Sequence, residues 1–103
     1  MTLHQLGAIA QERRRFDEAE DWYRRSLDVD ERMGNERGVA SRLGQLGLLA
    51  EARGDVVEAI RQLEQAAVIF ARVNDPHSLE KTRHDLQRLR APSTPPTSTN
   101  PNA

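Results

Sequence analysis

Leu3-His4-Gln5-Leu6-Gly7-Ala8-Ile9-Ala10-Gln11-Glu12-Arg13 and Leu43-Gly44-Gln45-Leu46-Gly47-Leu48-Leu49-Ala50-Glu51-Ala52-Arg53 are versions of one stretch written 40 residues apart. Leu3 falls on Leu43, Gln5 on Gln45, Leu6 on Leu46, Gly7 on Gly47, Ala10 on Ala50 and Arg13 on Arg53. Further out, Glu18 falls on Glu58, Ala19 on Ala59 and Arg32 on Arg72, and the same offset carries Leu46 to Leu86 and Leu49 to Leu89, opening a third copy. A fixed period of about 20–50 residues marks a stacked array of one supersecondary unit.

The spacing inside each copy is helical. Val39, Leu43, Leu46, Gly47 and Ala50 form one stripe, and Val56, Ala59, Ile60, Leu63, Ala66, Ala67 and Phe70 form a second. Steps of three and four put each set on one buried face of an α-helix. Between them, Gly54 can take the left-handed conformation that ends a helix. Asp55 caps the next helix, with Glu58 placed to reach back in a capping box. The unit is a helical hairpin.

The first copy departs from the second in its turn and at one core position. Its second-helix stripe is Phe16, Ala19, Tyr23, Ser26, Leu27 and Met33. Arg14 and Arg15 stand where Gly54 and Asp55 stand, which predicts a differently shaped turn, because a left-handed non-glycine residue costs about 1 kcal/mol. Asp30 stands where Phe70 stands, so that part of the helix either faces solvent or pairs Asp30 with an arginine. Gly34-Asn35 closes the first hairpin, with Gly34 as terminator and Asn35 as the next cap, and Asn74-Asp75-Pro76 the second, with Asp75 as cap and Pro76 at a first helical position. A terminal helix follows over 76–91 with Leu79, Thr82, Leu86 and Leu89 inward. Residues 92–103, rich in Pro, Ser and Thr, have nothing to bury and read as a disordered tail.

Bulk composition narrows the function. In 103 residues, 30% charged, the formal net charge is only -1, without the basic excess of a nucleic-acid binder. Cysteine is absent, so there is neither a disulfide framework nor a thiolate metal site. No apolar run approaches the roughly 20 residues of a membrane span, and no secretion signal opens the chain; a cytoplasmic protein is expected. No glycine-rich phosphate loop or nucleophile elbow occurs, and the carboxylates alternate with arginines whose pairing should leave their pKa values ordinary. The chain reads as neither an enzyme nor a cofactor binder.

Leu3, Leu6, Gly7, Ala10, Ala19, Tyr23 and Ser26, matched by Leu43, Leu46, Gly47, Ala50, Ala59, Leu63 and Ala66, resemble the signature of the tetratricopeptide repeat. The likeness runs over residues 2–90 and is to the long variant of about 40 residues per unit, as found in large multidomain bacterial signalling proteins. It implies an all-α, right-handed superhelical solenoid of two hairpins (2–34 and 36–74) plus a C-terminal capping helix. It also implies a protein or peptide partner in a groove lined by the first helix of each hairpin. Carried over, the groove is His4, Gln5, Ala8, Gln11 and Glu12, then Ser41, Gln45, Leu48, Glu51 and Ala52, then Lys81, His84, Asp85 and Arg88. The lysines and asparagines with which some members clamp a terminal carboxylate are missing apart from Lys81.

Four other features have both a functional and an ordinary reading. The first helix begins with no capping residue read ahead of it and with Leu3, Leu6 and Ile9 free for packing, which suggests a homodimer or a piece of a longer array. Trp22 either anchors an interface or packs beside Tyr23. Arg13-Arg14-Arg15 could meet an acidic partner, but Asp17, Glu18, Glu20 and Asp21 follow and should neutralise it. Glu80 and His84 share a helical face with too few further ligands for a metal site, and read as an ion pair.

Overall fold

The computed structural model describes residues 1–91. It consists of α1 (Leu3–Glu12), α2 (Phe16–Arg32), α3 (Glu36–Ala52), α4 (Val56–Arg72) and α5 (Pro76–Arg90). There is no strand among the described residues, and the chain is an all-helical solenoid in which each helix packs chiefly on the one before and the one after it. The disordered tail expected at 92–103 lies outside the described residues.

One turn is used four times. Arg14, Gly34, Gly54 and Asn74 all have positive φ, at 59°, 68°, 89° and 57°. In each turn the N–H of that residue donates to the carbonyl three back, and the next N–H to the carbonyl five back: Arg14 to Gln11 and Arg15 to Ala10, Gly54 to Glu51 and Asp55 to Ala50. These bonds take up the last orphan carbonyls of the preceding helix. The different first turn expected from Arg14-Arg15 is therefore corrected. Arg14 adopts the glycine conformation at a cost of about 1 kcal/mol, and its guanidinium lies over the Phe16 ring, 5.0 Å from the centroid.

The caps differ from turn to turn. Asn35, Asp55 and Asp75 accept from the N–H groups of Gly38, Glu58 and Ser78 at 3.0, 3.0 and 3.2 Å. Glu58 does not reach back; its carboxylate accepts from Arg61 and Gln62 instead. α1, expected to start uncapped, carries the full capping box: Thr2 N–H donates to Gln5 Oε1 at 2.9 Å and Gln5 N–H to Thr2 Oγ1 at 3.2 Å. α2 alone has no side-chain cap, since Arg15 offers no acceptor. Arg15→Asp is accordingly expected to stabilise the fold by about 1 kcal/mol, raising the midpoint of thermal unfolding by roughly 4–8 °C. An unchanged midpoint in circular dichroism would refute this. The Arg15–Glu18 pair it removes, 3.8 Å apart and exposed, contributes little.

Burial follows the stacking. α3 lies between α2 and α4, so its buried set is wider than one stripe: Ala40, Leu46, Gly47, Leu49 and Ala50. Leu49 is thus core, while Val39 and Leu43 are only half-buried. Ala10, Ala19, Tyr23, Leu46 and Leu49 form one cluster, with Phe16, Trp22 and Leu27 against it. Ala40, Ala66 and Phe70 form the other, with Leu43, Ile69 and Leu79 around them. Met33 and Val56, placed in stripes from the spacing, are exposed because they sit at the C-cap of α2 and the first position of α4. Thr82 and Leu86 of α5 are buried as expected, Leu79 and Leu89 half-buried.

Close approach of the paired helices explains Gly7 and Gly47. A Cβ at Gly7 would stand 2.6 Å from the Tyr23 ring, and one at Gly47 2.9 Å from Leu63 Cγ and 3.1 Å from the Ala59 carbonyl. Tyr23 and Leu63 are themselves equivalent in the 40-residue register, so the same knob meets the same hole in both hairpins.

Arginines lace the helices together. Arg53 reaches Asp17 at 3.0 Å, Arg72 reaches Glu36 at 3.0 Å and Arg37 reaches Asp75 at 3.2 Å. Arg88 and Arg90 of α5 bind Glu51 and Glu64. Of the four acids expected to neutralise Arg13-Arg14-Arg15, only Glu18 does so. Asp17 goes to Arg53, Glu20 to Arg24 and Asp21 to Arg25. Asp30 neither faces solvent fully nor pairs with an arginine: one carboxylate oxygen accepts from Asn35 Nδ2 at 3.3 Å, and the other is buried without a partner.

Candidate protein-binding groove

The three-residue links alternate the helix direction, so α1, α3 and α5 run the same way and α2 and α4 the other. Between α3 and α5 lies a cleft of about 230 Å³, with α4 beneath it. Ser41, Gln45, Leu48, Lys81 and Asp85, five of the residues nominated from the sequence, line it together. Leu63 and Phe70 of α4 form its apolar floor, and Arg42, Ser78 and Thr82 complete the wall. Thr82 is committed locally, its hydroxyl donating to the Ser78 carbonyl at 2.8 Å.

Two nominated residues join across the space between α3 and α5. Arg88 Nη2 donates to Glu51 Oε1 at 3.0 Å and stands 3.5 Å from Asp85 Oδ1. The hydrogen bond from Arg88 holds the Glu51 carboxyl below the usual carboxylate range against the opposing effect of burial. Glu58 is lowered likewise by Arg61 and Gln62, and Asp75 chiefly by its bonds to Ser78. Carboxylate pKa values are therefore not uniformly ordinary, as alternation with arginine had suggested. His84 is exposed at neighbouring α5, outside the cleft lining, and Ala52 is exposed at the end of α3.

The α1 residues do different work. Gln5 is occupied in the capping box. Gln11 accepts the Tyr23 hydroxyl at 3.0 Å, while burial pushes the Tyr23 phenol up. Glu12 is exposed. His4 is half-buried; desolvation first, then the positive charge of Arg42, hold its imidazole below the ordinary value, with Asp30 pulling the other way. Met1, Gln5, Ala8 and Ile9 border a separate shallow apolar hollow of about 460 Å³. Leu3 and Leu6 are half-buried, and Trp22 is half-buried against the first core cluster, with the Arg25 guanidinium 5.1 Å above its ring.

Arg42 is the charged cleft-lining residue that the resemblance did not nominate. It follows Ser41 directly, and in a helix two adjacent residues point about 100° apart, so a strict one-face reading passes over the second. Its signal was present in composition: it is the one charged residue in the run from Gly38 to Ala50. Desolvation lowers its pKa, partly offset by Asp30 and Tyr23. Its only hydrogen bond among the described residues is a long one, 3.5 Å, to Ser26 Oγ, and its Nε is buried without a partner.

No group of three or more His, Asp or Glu side chains converges among the described residues, and no helix there is long and apolar enough to cross a membrane. Stacked helical hairpins with a side-chain-lined cleft and this set of close-packed glycines and alanines define a helical-repeat scaffold. The family model described as Tetratricopeptide repeat matches residues 1–81. The chain belongs to the tetratricopeptide repeat family, whose repeats generally mediate protein–protein interaction and are typically non-catalytic. No curated protein and no solved structure matches the chain.

Proposed function

We propose that the chain is a protein-interaction scaffold of the long, roughly 40-residue repeat variety, taking a segment of a partner protein in the cleft between α3 and α5. The observation that carries this is the cleft itself: Leu48, Leu63 and Phe70 give an apolar floor, and Ser41, Gln45, Lys81 and Asp85 give polar walls. At about 230 Å³ it is smaller than the roughly 300–1,000 Å³ of small-molecule sites. That size suits one or two side chains of a passing peptide better than an enclosed cofactor. The hollow at Met1, Gln5, Ala8 and Ile9 favours a second reading, self-association through α1.

One experiment separates the two. A photoreactive benzoyl-phenylalanine at Leu48 is expected to cross-link a foreign protein in the cells that make the chain. The same group at Val57, 80% exposed on the far end of α4, is expected to give none of that adduct. Leu48→Arg, with the photoreactive group moved to Ser41, should remove it. Equal adducts from positions 48 and 57 would overturn the groove reading, and adducts joining two copies at Ile9 would favour self-association.

A further inference from the structure

The register that carries α1 onto α3 pairs like residues in unlike surroundings. On α3, Leu46 and Leu49 are 4% and 2% exposed, packed in the cluster that holds Tyr23 of α2. Arg53, at the end of the same helix, donates to Asp17 at 3.0 Å, stands 3.6 Å from Glu20 and lies over the Phe16 ring at 5.9 Å, all on α2. The matching residues of α1 are Leu6, Ile9 and Arg13. Leu6 and Ile9 are only half-buried, and the hollow beside Ile9 is open. Among the described residues, no carboxylate stands within 4.0 Å of Arg13.

Arg14, Arg42, Lys81 and Arg83 lack carboxylates as well, so an unpaired charge is not what distinguishes Arg13. Arg13 differs in having a copy, Arg53, whose partners display the chemistry that suits it. Those partners sit on α2, which runs antiparallel to α3 and brings Asp17 and Glu20 of its first turns to the Arg53 end. Carboxylates at a helix N-terminus are also favoured by the helix dipole. A helix set on α1 in the same way would cover Leu6 and Ile9 and bring acid to Arg13.

A second copy does not offer that helix. Asp17 and Glu20 of α2 are already engaged by Arg53, and α4 carries Val57 and Ile60 at the matching positions. An antiparallel pair of α1 helices would set Arg13 against the first turn of the other α1, which contains no acidic residue. We propose that the outer face of α1 docks an amphipathic helix of a partner protein, antiparallel to α1, with an apolar row over Leu6 and Ile9 and carboxylates in its first turns against Arg13. This face is separate from the cleft between α3 and α5, and its occupant is independent of what the cleft holds.

The probe is a peptide of residues 15–33, acetylated, amidated and labelled with fluorescein. It carries the α2 face, and the ion pairs Glu20–Arg24, Asp21–Arg25 and Asp28–Arg32 support it as a free helix. Fluorescence anisotropy with the full chain is expected to show saturable binding. Arg13→Glu, at an exposed position, should weaken it roughly three- to tenfold. A peptide with Asp17→Arg and Glu20→Arg should prefer that variant to the parent chain. Ile9→Glu should weaken binding roughly tenfold to a hundredfold. Thermal melts establish folding; if Ile9→Glu fails to fold, Arg13→Glu and the charge-reversed peptide decide alone. No binding, or binding indifferent to the substitutions, would overturn the proposal. Binding lost in Arg53→Glu but kept in Arg13→Glu would overturn it too, because the peptide would then be replacing the chain's own α2. A dimer of the chain alone, broken by Ile9→Glu in sedimentation equilibrium, would put a second copy on this face instead.

Discussion

Phe70→Ala is expected to lower the unfolding free energy by about 3–5 kcal/mol, a large share of the roughly 5–15 kcal/mol that holds a domain folded. Phe70 is 4% exposed and is the only large side chain at the centre of its cluster; its buried companions, Ala40 and Ala66, have nothing to extend into the space it would leave. Leu43, Ile69 and Leu79 surround it on the half-buried rim, so the gap would open toward α5. Because Leu79 belongs to α5, the last helix should loosen first, and the cleft floor would go with it. Urea unfolding reads this as a lower midpoint. A loss below about 1 kcal/mol would mean that α5 is not docked through this ring.

Tyr23→Ala should be comparably severe, at about 3–5 kcal/mol on the scale of other buried aromatics, while Tyr23→Phe should cost only about 1 kcal/mol. The ring is 2% exposed and lies so close to Gly7 that a Cβ there would meet it at 2.6 Å. Truncation therefore leaves a gap bounded by a residue with no side chain, which cannot fill it. Removal of the hydroxyl alone gives up the bond to Gln11 Oε1, an acceptor that solvent can reach in part. If the two variants proved equally destabilised, the hydroxyl bond and not the ring would hold α1 on α2. That result would reverse the energetic order argued here.

Much of this architecture was legible in the sequence because the 40-residue register is written in side chains whose size matters. Gly7 and Gly47, Ala19 and Ala59, Tyr23 and Leu63 mark where helices touch, and each is buried in the fold. Turn conformation was legible at Gly34, Gly54 and Asn74 but not at Arg14. There the hydrogen bonds from Arg14 and Arg15 to α1 impose the left-handed residue against local preference. The caps were read well where the acceptor precedes a helix, at Asn35, Asp55 and Asp75, and missed at Thr2, whose reciprocal bond with Gln5 takes up a residue assigned to the groove.

The cleft lining was legible in part, through the resemblance and not through the spacing. The family resemblance nominated the first-helix faces, and of the residues carried over Ser41, Gln45, Leu48, Lys81 and Asp85 line one cleft. It says nothing of which charges remain unpaired, because ion pairs such as Arg53–Asp17 and Arg72–Glu36 join residues 36 apart in the chain. Which arginines have no carboxylate within 4.0 Å, Arg13, Arg14, Arg42 and Arg83 among the described residues, is visible only once those partnerships are known.

The restriction of packing to successive helices also governs how the chain reaches this structure. Every helix finds its main partners one helix away, across links of three residues, so no long loop has to be closed before contacts are gained. Topologies of this local kind fold in microseconds to milliseconds, far faster than sheets that must bring together distant strands. During synthesis, when residues are added at about 5–20 per second, α1 and α2 can pair before α4 has been made. Each later helix then adds to a surface that already exists. A chain built this way exposes unpaired apolar faces only briefly, and at its growing end.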